Sequence, residues 1–104
     1  MAECLIPFAV PVLWSLKSLS VSGLGDPMYW GTYVPKGIYD SRQYYYKSDQ
    51  NVYLYWKRTL SAWCLYDMLG NAQPEFKKVG DRWSSPVGHY AGAAPSDYAD
   101  VVEV

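Results

Sequence analysis

The chain has 104 residues, the length of one domain, and can bury about two-thirds of the surface its unfolded form exposes. Nine basic residues stand against ten acidic ones, for a net charge of −1 without long runs. This excludes the basic stripe of a nucleic-acid binder, and Lys57-Arg58 and Lys77-Lys78 read as solvated turn residues. There are 11 Tyr and 5 Trp but only 2 Phe, so nearly every aromatic carries a polar tip. Such side chains suit half-buried positions in a thin β domain, and equally a contact surface. The two cysteines, Cys4 and Cys64, allow one disulfide at most; both are expected to be free thiols, in a reducing compartment.

Residues 1–18 differ in texture from the rest. Pro7 and Pro11 exclude a regular helix and hold the residues before them extended. The early charge is Glu3 and the apolar run is broken, so neither a secretory signal nor a membrane span is expected. Leu5, Ile6, Phe8, Val10, Val12, Leu13, Trp14 and Leu16 need cover. The cover is either the domain's own core or another subunit; the density of the run favours an arm that docks on a partner.

From Leu19 to residue 104 the texture is that of a single β domain. Leu19 and Val21 alternate with serines, and "GLGDP" is a turn cluster. "MYWGTYV" alternates as a strand that "PKG" breaks, and "IYDSRQYYYK" is a hairpin turning near Asp40-Ser41. The next hairpin pairs Val52–Trp56 with Ala62–Tyr66 across the polar link "KRTLS". "MLGNAQP" reads as a turn and "EFKKV" as a short strand; "GDRWSSPVG" and "HYAGAAPSDY" read as coil or short strands, and "DVVEV" as a last strand. Short runs punctuated by Gly, Pro, Asn and Asp predict an all-β fold, a small antiparallel sandwich or barrel-like meander behind an extended N-terminal arm.

Period two splits the second hairpin into an inward set, Leu54, Trp56, Trp63 and Leu65, and an opposite set, Tyr53, Tyr55 and Tyr66. The tyrosines are either a ladder that braces the sheet or a contact surface. With Val21, Tyr33 and Trp83, the inward set is the expected core. Trp30, Tyr44, Tyr46, Tyr53, Tyr55 and Tyr66 are the candidate face for a glycan or partner.

No constellation for chemistry stands out. His89 is the one histidine and has no Cys or Ser partner at a motif. The aspartates fall in predicted turns, where they bond the backbone, and "GLG" at 23–25 opens no helix. No catalytic residue, cofactor or metal site is expected.

Residues 19–104 resemble a β-rich module of phage virion proteins, also found in bacterial and algal surface proteins. Its pattern runs V-x-G-x-G, N-G-x-Y, G-x-Y-N-G-x-x-x-Y, I-x-W with W-x-I, and a late W with P. Val21, Gly23 and Gly25 match the opening, and Gly31 and Tyr33 the second element. Gly37, Tyr39 and Tyr45 match the first hairpin, and Leu54, Trp56, Trp63 and Leu65 the tryptophan hairpin; Trp83 and Pro95 match the tail. Trp30 stands where the pattern has Asn, and Asp40-Ser41 replaces Asn-Gly, which points to a longer or different turn. The resemblance implies a structural protein made in the host cytoplasm and built into a virion, as a capsid decoration or cement protein or a tail or fibre adaptor. Its partners would be capsid or tail subunits, and a homo-oligomer is expected. A host-glycan-binding module is the alternative; a coplanar row of exposed rings would favour it.

Overall fold

The computed structural model describes residues 17–81 and 83–104, so the apolar arm expected over 1–18 lies almost wholly outside the described residues. Those residues form an eight-stranded antiparallel barrel in which each strand pairs with the next and the last pairs with the first. The strands are β1 (Leu19–Leu24), β2 (Gly31–Tyr39), β3 (Arg42–Lys47), β4 (Val52–Lys57), β5 (Ala62–Tyr66), β6 (Phe76–Val79), β7 (Gly88–Gly92) and β8 (Tyr98–Glu103). Among the described residues the helical elements are two short 3₁₀ turns, Pro27–Tyr29 and Arg58–Leu60. The sequence leaves sandwich and barrel open; the pairing of β1 with β8 over six residues makes it a closed barrel. Closure leaves the sheet without an outer strand for a foreign chain to extend.

Alternation puts one face of each strand on the axis. Val52, Leu54 and Trp56 of β4 face Trp63 and Leu65 of β5, and the ring closes through Phe76, Tyr90, Ala99, Val101, Leu19, Val21, Tyr33 and Tyr45, all nearly inaccessible. Trp56 and Trp63 are direct cross-strand partners and meet edge to face at 5.8 Å. Buried hydroxyls find acceptors: Tyr33 donates to the Tyr29 carbonyl at 2.9 Å and Tyr90 to that of Pro86 at 2.5 Å.

The two ends of the barrel differ. At one end the 3₁₀ turn Pro27–Tyr29, capped by the Asp26 carboxylate, folds across the opening. Tyr29 and Trp30 pack on Phe76 at 5.4 and 5.6 Å, and Met28 joins them. Strand β2 starts only after this turn, so the expected strand over "MYW" gives way to a lid. At the other end lie the hairpin turns 40–41 and 58–61, the β6–β7 connection and the Lys17–Ser18 entry to β1.

"PKG" does not break β2. The strand runs through it with a bulge between Pro35 and Gly37, where the register to β3 shifts by one residue. Nor is the β2–β3 turn longer than two residues. Asp40 and Ser41 take positive φ of 51° and 70° between the paired residues Tyr39 and Arg42. The conformation holds because the Asp40 carboxylate accepts from the Arg58 backbone N–H at 2.7 Å, tying this turn to the next one.

Candidate functional site

Two surfaces deserve comparison, the tyrosine face and the open end. The tyrosine face is the outer wall of β3, β4 and β5. Tyr46, Tyr53 and Tyr66 are successive cross-strand partners, and Tyr44 lies beside Tyr53. All four are half-buried. Tyr46 donates to the Asn51 side-chain oxygen at 2.5 Å, and the Lys36 ammonium lies 5.2 Å from its ring centre. Tyr46 and Tyr53 rings are 5.2 Å apart but tilted by 36°, and Tyr44 and Tyr53 by 52°. The rings therefore brace one another and do not form one plane.

Tyr55 is not on this face as a contact residue. It is fully buried, in a second apolar cluster outside the barrel with Ala62 and Cys64. The β5–β6 connection, which the sequence reads as a mere turn, folds up against the wall. Leu69 packs on the cluster and Tyr55 donates to the Asn71 carbonyl at 2.8 Å. Gly70 permits the approach, because a Cβ there would sit 2.5 Å from the Tyr39 hydroxyl. Burial pushes the Cys64 thiol up to about 12, against the weaker pull of Lys77 and Lys57. Cys64 is free; Cys4 lies outside the described residues. Trp30 does not join the tyrosines either; it belongs to the lid on Phe76.

The open end is concave, about 400 Å³, and mostly apolar in lining. Its floor is Leu19, Tyr45 and Trp63, and its rim Ile38, Trp83, Pro86, Val87 and Lys17. Ile38 owes its place to the bulge: it pairs with Gln43, two residues from the inward Tyr45, so it points to the axis above the core. It is nevertheless 65% exposed. Trp83, expected in the core, is instead 79% exposed. A turn in which the Asp81 carboxylate accepts from the Trp83 N–H at 2.9 Å carries it outward to the rim. The position next to it turns in: the Ser84 carbonyl accepts from Trp63 Nε1 and from the Arg42 guanidinium, both at 3.0 Å. Arg42 lies over Trp63 and Trp56, 5.0 and 5.6 Å from the ring centres, and burial lowers its pKa while Tyr45 opposes that. Among the described sites the remaining core expectations, Val21, Tyr33, Leu54, Trp56, Trp63 and Leu65, all lie on the axis.

The sequence gives no sign of Ile38 or Arg42 at this end. A bulge at Pro35–Gly37 is the signal that would find Ile38, and "PKG" reads more simply as a break. Leu5, Ile6, Phe8, Val10, Val12, Leu13, Trp14 and Leu16 lie outside the described residues. His89 sits on the outer surface of β7, 2.8 Å from Asp100 and stacked on Tyr98. Among the described residues no group of three His, Cys, Asp or Glu could hold a metal ion, and no helix is long and apolar enough to cross a membrane.

The fold and this end together define a class: a small antiparallel meander barrel filled with side chains, lidded at one end and open at the other. No family model, curated protein or solved structure matches the chain.

Proposed function

We propose that this chain is a non-enzymatic structural protein of a phage virion, a small capsid decoration or cement protein or a tail or fibre adaptor, which docks through its apolar N-terminal segment. The observation that carries this reading is the open apolar end, at whose rim that segment joins the barrel through Lys17. A filled interior supports it too, since large ligands have no room on the axis. The virion setting comes from the sequence resemblance; the barrel supplies a compact unit that can be repeated, and weak contacts multiply on a symmetric shell.

Light scattering of the full-length protein beside a deletion of residues 1–16 tests the docking role. The full chain is expected to assemble and the deletion to be a folded monomer. An unfolded deletion would place the segment in the domain's own core and sink the reading. The glycan-binding alternative rests on the half-exposed Tyr44, Tyr46, Tyr53 and Tyr66 beside Asn51 and Lys36. The tilt between neighbouring rings weighs against a flat sugar platform, and a glycan array decides it.

A further inference from the structure

Described residues cover the axis at both ends, a short turn at one and Arg42 with the Ser84 carbonyl at the other, but the second end leaves large apolar side chains standing out of its rim. At the lidded end a short turn lays Tyr29, Met28 and Trp30 across the axis, and Tyr29 is 3% exposed. At the open end Ile38 faces the axis at 65% exposure, over the buried Trp63 and Leu19. The concavity of about 400 Å³ has Ile38 and Trp83 standing out beside it, with Lys17, Arg42 and Glu103 at its edge.

The same chain carries an apolar run, Leu5 to Trp14, that needs cover. Pro7 and Pro11 suit it to an apolar seat. They pre-set extended backbone and remove two N–H groups that would otherwise be buried without acceptors. Its attachment point is known. The Val104 N–H donates to the Ser18 carbonyl at 3.1 Å and Lys17 lies 3.8 Å from Glu103, so residues 17–18 continue the line of β1 to the rim. To enter its own mouth the chain would have to reverse there. Residues 14–18, Trp-Ser-Leu-Lys-Ser, hold no Gly, Pro, Asn or Asp, and Ser15 and Ser18 favour a turn only weakly. Continuing outward, sixteen residues reach about 50 Å when extended, more than twice the roughly 20 Å of a six-residue strand.

We propose that the open mouth is the seat for residues 5–14 of a second copy of this chain, exchanged reciprocally. This rests on the docking role proposed above and names its receptor and partner. The arm's attachment point, Lys17, and the mouth lie at the same end of the barrel, so reciprocal exchange sets two mouths face to face about a two-fold axis. The contact is then closed and self-complementary, the commonest form of oligomer.

The test uses the full chain. Light scattering is expected to give twice the chain mass for the natural protein. Ile38→Glu is expected to weaken the dimer on the order of a hundredfold, the equivalent of losing one large buried apolar side chain. Val34→Glu, on the outer wall, should leave the dimer intact. Ile38→Ser is the second variant should the charge impair folding. Independently, Phe8→Cys and Ile38→Cys are made in separate Cys4→Ser chains, mixed, and oxidised; a covalent heterodimer is expected. A dimer unmoved by both Ile38 variants overturns the mouth as receptor and leaves arm docking standing. The two substitutions are also combined in one Cys4→Ser chain; a disulfide there that closes only within the chain, at every concentration, overturns the second copy and the docking role together. A monomer whose two cysteines never join overturns the second copy, and leaves docking on a different virion protein.

Discussion

Tyr55 and Cys64 are cross-strand partners and share one fate, burial in an apolar cluster outside the barrel. Tyr55 reads as part of an outer ladder or contact face because alternation puts it outside, and it is outside the barrel. What alternation cannot show is that residues 67–75 cover it, because cover is supplied by a distant segment with no period of its own. The same cover raises the Cys64 thiol to about 12, and burial likewise raises the Tyr29, Tyr33, Tyr55 and Tyr90 hydroxyls. Each group is neutral when protonated and keeps its proton to higher pH in the folded chain than in the unfolded one. Their contribution is whole below about pH 8.5 for the thiol and about pH 10 for the tyrosines. Above those values the unfolded chain binds fewer protons, so stability falls as pH rises, by about 1.4 kcal/mol per pH unit for each group in its window. Urea midpoints should be level at neutral pH, decline from about pH 8.5 and steepen beyond about pH 10. Cys64→Ala should remove the first decline and keep the second. A single onset in both proteins would show that the thiol is not the early group.

The hairpins were the most legible elements. Leu54, Trp56, Trp63 and Leu65 fall on one face by period two alone, and the structure puts them on the axis. Trp83 was illegible for the opposite reason. A tryptophan in a loop carries no periodic signal, and an Asp81 turn decides its direction. The β2–β3 turn shows tertiary bonding overriding local preference. Two L-residues hold left-handed backbone in a two-residue hairpin, a conformation glycine takes at no steric cost. Ser41→Gly should relieve that strain and raise stability by about 0.5–1 kcal/mol, measured by urea titration. Asp40→Ala should lower it by about 1–2 kcal/mol, since it strands the Arg58 N–H and loses a residue tolerant of positive φ. Stabilisation by the alanine would mean that the bond to Arg58 contributes nothing.

At the scale of the molecule the deciding contact is β1 with β8, which no local pattern announces. The sequence shows short strands with turns between them, a signature shared by sandwiches and barrels. Which it is depends on whether residues about 80 positions apart pair. Gly23 marks the seam: it pairs with Ala99, and a Cβ there would stand 2.2 Å from the Tyr98 carbonyl oxygen. That atom is backbone within a ladder and has little room to yield. Gly23→Ala should cost about 1–3 kcal/mol as the strands shift apart. Amide exchange should rise in β1 and β8 together while β4 and β5 stay protected. A uniform rise would mean that the barrel opens only as a whole, and the seam would lose its special status.

Closure also sets an order of events while the protein is being made. On the ribosome β1 emerges first and finds β2 within a few residues, but its other edge has no partner until β8 has left the exit tunnel. Through most of translation the nascent chain is an open, curling sheet with Leu19 and Val21 on a bare edge and the apolar run 5–14 tethered to it. Two nascent chains on one polysome thus meet with their seams open. A barrel that closes last favours assembly partners that arrive after β8 has paired, and makes the interval before that pairing the one that a chaperone would have to guard.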